Sequence, residues 1–315
     1  MPPFDPLFRN PHLQTILSHY WRRPDFHQRF PLESRLYRTE PDVQVLVESQ
    51  RPVRAVRGHI VMVHGLEGSS RAVYMGSLSG AALDAGFVVH RFNMRTCGGT
   101  EHLCQTLYHA GLTSDLLAVV GRLKDEDRAP IFLVGFSLGG NVVVKLAGEL
   151  GHRGPDLLGG VCAISAPLDL AACSRRMAKS DNWIYERRFV RRMRERLSAM
   201  GRFSARDYEG LNTVFAIDDR ITAPSFGFGS AARYYHTQSA IRYLEGIQVK
   251  VLVIYSQDDT IVPAQTFDAP AVRDNPWIER MRTEHGGHLG FLGRRPHRFW
   301  LDAAILDWVT ERMRS

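Results

Sequence analysis

The fold is decided by residues 131–141, IFLVGFSLGGN, in which Gly135, Ser137 and Gly139 form a Gly-x-Ser-x-Gly motif. A short apolar run, typical of a buried strand, leads into the motif, and a helical pattern follows at 142–150. Small residues on both sides of the serine permit a sharp strand-to-helix turn that projects its hydroxyl above the edge of a sheet. The motif in this setting predicts that Ser137 is a nucleophile.

Apolar runs and helical patterns alternate along most of the chain. Buried strands are predicted at 59–64, 87–92, 131–134, 157–166 and 250–256, and an exposed or edge strand at 43–48. Helices are predicted at 11–20 with Asn10 as N-cap, and at 72–85, 113–124, 142–150 and 296–314. This alternation predicts an α/β fold, in which a mostly parallel sheet is covered by helices on both faces.

One stretch, residues 169–246, interrupts the alternation because it contains no convincing buried strand. We therefore predict a core formed by residues 1–168 and 247–315, with 169–246 as a helical lid inserted between two strands. Two interpretations of its aromatic residues stay open: they line a pocket beside Ser137, or they form the lid's own core. They are Trp183, Tyr185, Phe226, Phe228, Tyr234 and Tyr235.

A serine hydroxyl is a weak nucleophile and needs a base, which a carboxylate orients. Two acids, Asp258 and Asp259, follow the strand at 250–256, and we favour Asp259 because it precedes an x-Ile-Val-Pro sequence. Asp169, after an earlier strand, is a more distant alternative.

Two histidines, His285 and His288, lie in a glycine-rich loop further along, and His288 is favoured because Gly-Gly precedes it and Leu-Gly-Phe follows it. The order serine, acid, histidine is the one in which such partners follow a strand-to-helix nucleophile. The sequence therefore predicts a triad of Ser137, Asp259 and His288.

A tetrahedral intermediate also needs donors for its oxyanion. The backbone N–H of Leu138, directly after the serine, is the first predicted donor. The second is the N–H of Leu66 in the loop 64–68, HGLEG, which follows an early strand. His64 in the same loop is interpreted as shaping the loop, not as a second base.

The chain has 315 residues, a formal net charge of +7 and four cysteines without CxxC spacing. The cysteine spacing argues against a zinc or dithiol site, and we expect free thiols, with a disulfide as the alternative. Acyl transfer through a serine triad needs no metal and no organic cofactor, so none is expected. No signal peptide or membrane span is recognised, so a cytoplasmic location is expected, with any membrane contact peripheral.

Positive charge is concentrated at 175–206, which holds ten Arg and one Lys against three acids. Its helical part, 186–197, is expected to be a solvated face, with docking on anionic lipid headgroups as the alternative. No reader motif accompanies the charge, so nucleic acid is not an expected partner.

The chain resembles the AB hydrolase 4 family of the α/β-hydrolase superfamily. The similarity runs through nearly the whole chain and is carried by five pieces: residues 10–15 (NPHLQT), 64–70 (HGLEGSS), 97–100 (CGGT), 135–141 (GFSLGGN) and 287–291 (GHLGF). The chain departs from the family where Thr96 replaces the usual glycine before Cys97, and where Thr260 replaces the usual apolar residue or proline after the acid.

The resemblance implies an α/β-hydrolase fold and a triad that falls by position on Ser137, Asp259 and His288. It also implies carboxylic ester chemistry without fixing the acyl chain. We expect the substrate to be a small-molecule or lipid ester, of short- to medium-chain or lipid type. Two rival functions are an acyltransferase that uses the same triad with an alcohol acceptor, and a binding protein of the same fold without turnover.

Overall fold

The computed structural model describes residues 3–23 and 29–314. Its strands are β1 (Glu33–Glu40), β2 (Val43–Gln50), β3 (Gly58–Val63), β4 (Phe87–Phe92), β5 (Ile131–Phe136), β6 (Gly160–Ile164), β7 (Val251–Ser256) and β8 (Ile278–Thr283). Its α-helices are α1 (Pro11–Tyr20), α2 (Val73–Asp84), α3 (Ser114–Glu126), α4 (Leu138–Leu150), α5 (Gly154–Leu157), α6 (Leu170–Met177), α7 (Trp183–Ala199), α8 (Val214–Ile217), α9 (Ala223–Ser225), α10 (Ala231–Gln238), α11 (Pro270–Arg273) and α12 (Trp300–Arg312).

The eight strands form one sheet in the order β1-β2-β4-β3-β5-β6-β7-β8. The pairs β1/β2 and β2/β4 are antiparallel, and every other neighbouring pair is parallel. The predicted mostly parallel sheet is therefore confirmed.

Each central strand is buried on both faces, which is why it lacks a polar alternation. In β3, Ile60 and Met62 pack in the cluster that contains α2 and α12, whereas Val61 and Val63 pack in the cluster that contains α3 and α4. Successive side chains of a strand point to opposite faces, so the helices cover both sides of the sheet.

The sequence interpretation missed two strands, β1 and β8. Both carry many charged side chains, since β1 reads ESRLYRTE and β8 reads IERMRT, and both lie at the ends of the sheet. The prediction that 43–48 is an exposed or edge strand was wrong, because β1 covers that side of β2.

Several predicted boundaries were also wrong. The helix predicted at 142–150 begins earlier, at Leu138, because the turn at Ser137 leads directly into it. The strand predicted at 157–166 is only β6, since α5 occupies the residues before it. Likewise the last helix is α12 and does not begin at 296.

Between β6 and β7 the structure has only helices and turns. Part of this segment packs in a separate apolar cluster, in which Val190, Met193 and Leu197 of α7 pack against Ile217 and Ile221. Leu107, from outside the segment, joins this cluster. Because the loops after β5, β7 and β8 leave the same edge of the parallel strands, the predicted site residues meet beneath this segment.

Candidate active site

Ser137 lies at the junction of β5 and α4. Its φ is 51°, in the left-handed region that residues other than glycine rarely adopt. The turn requires small neighbours, because a Cβ at Gly135 would lie 2.3 Å from the carbonyl oxygen of Gly139 and a Cβ at Gly139 would lie 2.3 Å from that of Val63. The strained strand-to-helix turn predicted from the motif is confirmed.

A histidine and a carboxylate lie in line with the serine. Nε2 of His288 is 2.9 Å from Oγ of Ser137, and Nδ1 is 3.1 and 3.0 Å from the two carboxylate oxygens of Asp259. The carboxylate also accepts the N–H groups of Ile261 and Val262 at 2.8 and 2.9 Å, which fixes its orientation. The structure thus brings together the three residues proposed as a triad.

The alternative residues have other partners. Oδ1 of Asp258 accepts the N–H of Gly287 at 2.9 Å, and Oδ2 is 3.3 Å from Nδ1 of His285. Asp169 instead caps the N-terminus of α6. Neither acid is hydrogen-bonded to the ring of His288.

Helix α1 supports the histidine loop, a role that sequence reasoning missed. The helix begins after Asn10, whose side chain accepts the N–H three residues on at 3.0 Å, as predicted. Oγ1 of Thr15 accepts the N–H of His288 at 2.8 Å, and the buried amide of Gln14 bonds both the N–H and the C=O of Leu292. In the sequence this contact was indicated only by the motif at 10–15, and the motif does not show which loop the helix contacts.

The loop after β3 leaves one N–H group free beside the serine. The N–H of Gly65 donates to the hydroxyl of Tyr74 at 3.0 Å, and the N–H of Glu67 donates to that of Tyr108 at 2.9 Å. Between them, the N–H of Leu66 has no acceptor among the described residues. The bonds on either side hold the backbone in which this N–H group lies.

The loop also lies close to the nucleophile. A Cβ added at Gly65 would be 3.1 Å from Cβ of Ser137. The N–H of Leu138 belongs to the first residue of α4 and has no protein acceptor in the described chain. Both N–H groups predicted as oxyanion donors are therefore available for a ligand at Ser137.

His64 is fully buried and both of its ring nitrogens are engaged. Nδ1 donates to the carbonyl of Gly65 at 2.8 Å, and Nε2 accepts the N–H of Met94 at 3.1 Å. Burial lowers the pKa of His64 to about 4, so the ring is neutral at pH 7. These contacts support the interpretation that His64 shapes the loop.

Two cavities meet at Ser137. One lies between the core and the helices that follow β6, and its walls include Leu170, Met177 and Met193. The other is a larger cleft that also contains His288 and is bounded by α1, the loop 64–70 and α7. The serine is thus reached from two sides.

Four of the six aromatic residues of 169–246 take one of the two expected roles. Tyr234 and Tyr235 line the smaller cavity and Tyr185 lines the cleft, whereas Phe226 packs in the separate cluster around α7. The other two do neither: Phe228 packs against the main core and Trp183 is 58% exposed.

Residues 3–23 and 29–314 contain no group of three His, Cys, Asp or Glu side chains arranged to hold a metal ion. The four cysteines are free thiols. Within the same ranges, none of the helices combines the length and apolarity needed to cross a bilayer.

Comparison with known proteins assigns the chain to a family. Residues 60–302 match the alpha/beta hydrolase family. The chain belongs to the alpha/beta hydrolase family. The match includes both flanks of the Ser137 turn and the loops that carry Asp259 and His288.

This alpha/beta hydrolase is similar in sequence to an esterase and a phospholipase, and similar in fold to a solved esterase. It is 33% identical to "Putative esterase YheT" of Escherichia coli (strain K12), over 96% of this chain and 91% of that protein. It is 25% identical to "Phospholipase ABHD3" of Mus musculus over 76% of this chain, and it spans only 59% of that relative. The fold matches the Pyrococcus furiosus esterase Pf2001 with a TM-score of 0.64 at 18% identity, covering 93% of this chain and 97% of that one.

Several residues of this alpha/beta hydrolase site could not be named from the sequence. They are the hydroxyl groups of Tyr74 and Tyr108, and the pair formed by Glu67 and Arg196, which lines both cavities. Arg196 belongs to the segment expected to be a solvated face, and for this residue that expectation was wrong, because its side chain is only 8% exposed.

Proposed function

We propose that this chain is a serine hydrolase that cleaves carboxylic esters through an acyl-enzyme intermediate. The observation that carries the proposal is the 2.9 Å separation of His288 Nε2 and Ser137 Oγ, with Asp259 on the other ring nitrogen. The names of the relatives, an esterase and a phospholipase, support an enzyme that acts on esters. The five motifs of the resemblance support a finer assignment to the AB hydrolase 4 family.

In the proposed mechanism His288 accepts the proton of Ser137 while Oγ attacks the ester carbonyl carbon. Asp259 holds the ring in the tautomer that leaves Nε2 free and stabilises the imidazolium that forms. Collapse of the tetrahedral intermediate breaks the bond to the alcohol, which leaves with the proton from His288. Water, deprotonated by the same histidine, then hydrolyses the acyl-enzyme and regenerates the serine.

The oxyanion is assigned to the N–H groups of Leu66 and Leu138. Both lie at the serine and neither has a protein acceptor in the described chain. Preorganised donors of this kind stabilise charge that develops only in the transition state, and loss of one reduces kcat by roughly 10²- to 10³-fold. A helix N-terminus at Leu138 adds a favourable dipole.

The substrate is proposed to be a small-molecule or lipid ester. The walls of the smaller cavity are mainly apolar side chains, so we assign it to the acyl group and the wider cleft to the alcohol. We further propose that 169–246 is a lid, since its helices supply one wall of each cavity. An acyl chain of short to medium length suits the smaller cavity.

A fluorophosphonate probe tests the nucleophile. We expect it to label the wild-type protein and not Ser137→Ala, with p-nitrophenyl ester hydrolysis lost in the same variant. Equal labelling of both proteins would refute the assignment. A series of esters from short to long acyl chains, repeated with added alcohol, separates hydrolysis from acyl transfer, and absence of serine-dependent turnover on every ester would favour a binding protein.

A further inference from the structure

A buried ion pair joins the helix α7 to the loop that carries Leu66. Nε of Arg196 is 3.1 and 3.0 Å from the two carboxylate oxygens of Glu67, and Nη2 is 2.9 Å from Oε1. The side chains are 8% and 4% exposed. The two residues are 129 positions apart in the chain, so the contact ties two distant parts of the structure together.

Two further side chains complete the network. The hydroxyl of Tyr108 donates to Oε1 of Glu67 at 2.9 Å and accepts the N–H of the same residue at 2.9 Å. Nη1 of Arg196 donates to Oγ1 of Thr96 at 3.2 Å. The guanidinium carbon also lies 4.8 Å from the ring centre of Tyr108, so the cation is enclosed on several sides.

The residues at the two ends of this network have unusual backbones. Glu67 has a φ of 53° and Thr96 a φ of 58°, both in the left-handed region. Such conformations persist where surrounding contacts hold them. Thr96 stands where the family that this chain resembles usually has glycine. Its side chain makes the left-handed conformation costly, but its hydroxyl oxygen also accepts a hydrogen bond from Arg196.

Arg196 keeps its positive charge in this buried network. Burial disfavours the cation of Arg196, but the carboxylate of Glu67 more than compensates, and the pKa of Arg196 lies above its ordinary value. The cation of Arg196 is therefore retained at this buried position.

We propose that Arg196 is a positioning residue for the oxyanion site. Through Glu67 it holds the backbone of the loop so that the N–H of Leu66 points at the carbonyl oxygen attacked by Ser137. The position of α7 and the position of the oxyanion donor are thereby coupled. The loop can stabilise the oxyanion only when α7 is packed with Arg196 against Glu67. The inference rests on the proposed function.

Without Arg196 the backbone of the loop still donates to the hydroxyls of Tyr74 and Tyr108, but the carboxylate of Glu67 loses its cation. That carboxylate then accepts one hydrogen bond, from the hydroxyl of Tyr108, and its charge is buried without a counter-ion. A buried charge left in this way moves toward water or takes water in, and either response shifts the adjacent Leu66. A small shift is sufficient, because transition-state donors act only within normal hydrogen-bond distance of the oxyanion.

The test compares Arg196→Met and Arg196→Lys with Arg206→Met, which changes an exposed arginine of the same segment. With a short neutral p-nitrophenyl ester, we expect Arg196→Met to lower kcat by about 100-fold while KM changes less than about three-fold. Lysine keeps the positive charge but cannot make the two-pronged contact with the carboxylate. The kcat of Arg196→Lys should therefore be about ten-fold higher than that of Arg196→Met. Arg206→Met should behave as the wild type.

A double variant separates positioning from folding. Glu67→Gln/Arg196→Met leaves no unpaired charge, so its melting temperature should recover relative to Arg196→Met, while its kcat stays low. Recovery of wild-type kcat in the double variant, or a wild-type kcat in Arg196→Met, would overturn the proposal, as would a loss confined to KM. If Arg196→Met does not fold, Arg196→Lys and the double variant decide the outcome by the same criteria.

These outcomes are distinct from failure of the proposed function. If the proposed function is wrong, wild-type hydrolysis of the same ester does not depend on Ser137. If only the inference is wrong, the wild type shows serine-dependent hydrolysis and the Arg196 variants keep its kcat.

Discussion

Two adjacent carboxylates after β7 have different roles because their neighbours differ. Asp259 is held by two backbone N–H groups and faces Nδ1 of His288, whereas Asp258 bonds Gly287 and His285. Chemically the two side chains are the same, so sequence alone could only favour one of them. Their contacts decide which one orients the base.

At the residue scale we predict unequal effects of the same substitution at these two positions. Asp259→Asn should lower kcat by about 10⁴-fold, because an amide favours the wrong tautomer of His288. Asp258→Asn should lower it less than about ten-fold, since it only weakens support of Gly287. Steady-state kinetics on one ester, with circular dichroism as a check on folding, measures both. A larger loss in Asp258→Asn would reverse the assignment.

At the element scale, α1 acts as a prop for the loop that carries the histidine. Thr15 accepts the backbone N–H of His288, and Gln14 satisfies both backbone groups of Leu292. The N-terminal motif NPHLQT is therefore explained by its tertiary partner. The cap and the proline of the helix were predictable from sequence, but the loop it packs against was not.

We predict that Thr15→Val weakens this prop. The N–H of His288 loses its acceptor, and a buried unsatisfied N–H costs about 1–3 kcal/mol. The free energy of unfolding should fall by that amount, and kcat should fall while KM changes little. Thr15→Ser keeps the hydroxyl and is the matched control. Urea unfolding and ester kinetics check the pair, and equal behaviour of the two variants would contradict the role of the hydroxyl.

At the scale of the whole molecule, the net charge of +7 is unevenly distributed. On α7, positions 183, 184, 187, 191 and 192 recur at helical spacing and are exposed, while the opposite side is buried. This outer face combines arginines with Trp183 and Ile184, which are 58% and 51% exposed. We propose that it docks on anionic lipid headgroups.

Vesicle sedimentation tests this docking. The triple variant Arg187→Gln/Arg191→Gln/Arg192→Gln should bind vesicles rich in phosphatidylserine about 100-fold less tightly, at about 1 kcal/mol per charge.

A triple variant of exposed arginines on other surfaces, at positions 38, 54 and 122, has the same net charge and should bind nearly as the wild type. Equal losses in the two triples would indicate a net-charge effect and contradict the docking face. Wild-type binding to neutral vesicles that is as tight as binding to phosphatidylserine-rich vesicles would also contradict the docking face.

The sequence by itself determined the features that depend on neighbouring residues. The apolar runs specify buried strands, the small residues around Ser137 specify the turn, and the order of serine, acid and histidine specifies which loops meet. All of these follow from local sterics and from the common edge at which parallel strands end.

The tertiary structure alone decided what depends on contacts between distant parts of the chain. β1 and β8 were missed because strands at the ends of a sheet carry charge and lose the apolar pattern. Arg196 lies among ten arginines that look alike in sequence, yet it alone of the α7 arginines is buried, on Glu67. Its partner is 129 residues away, and no local rule relates the two.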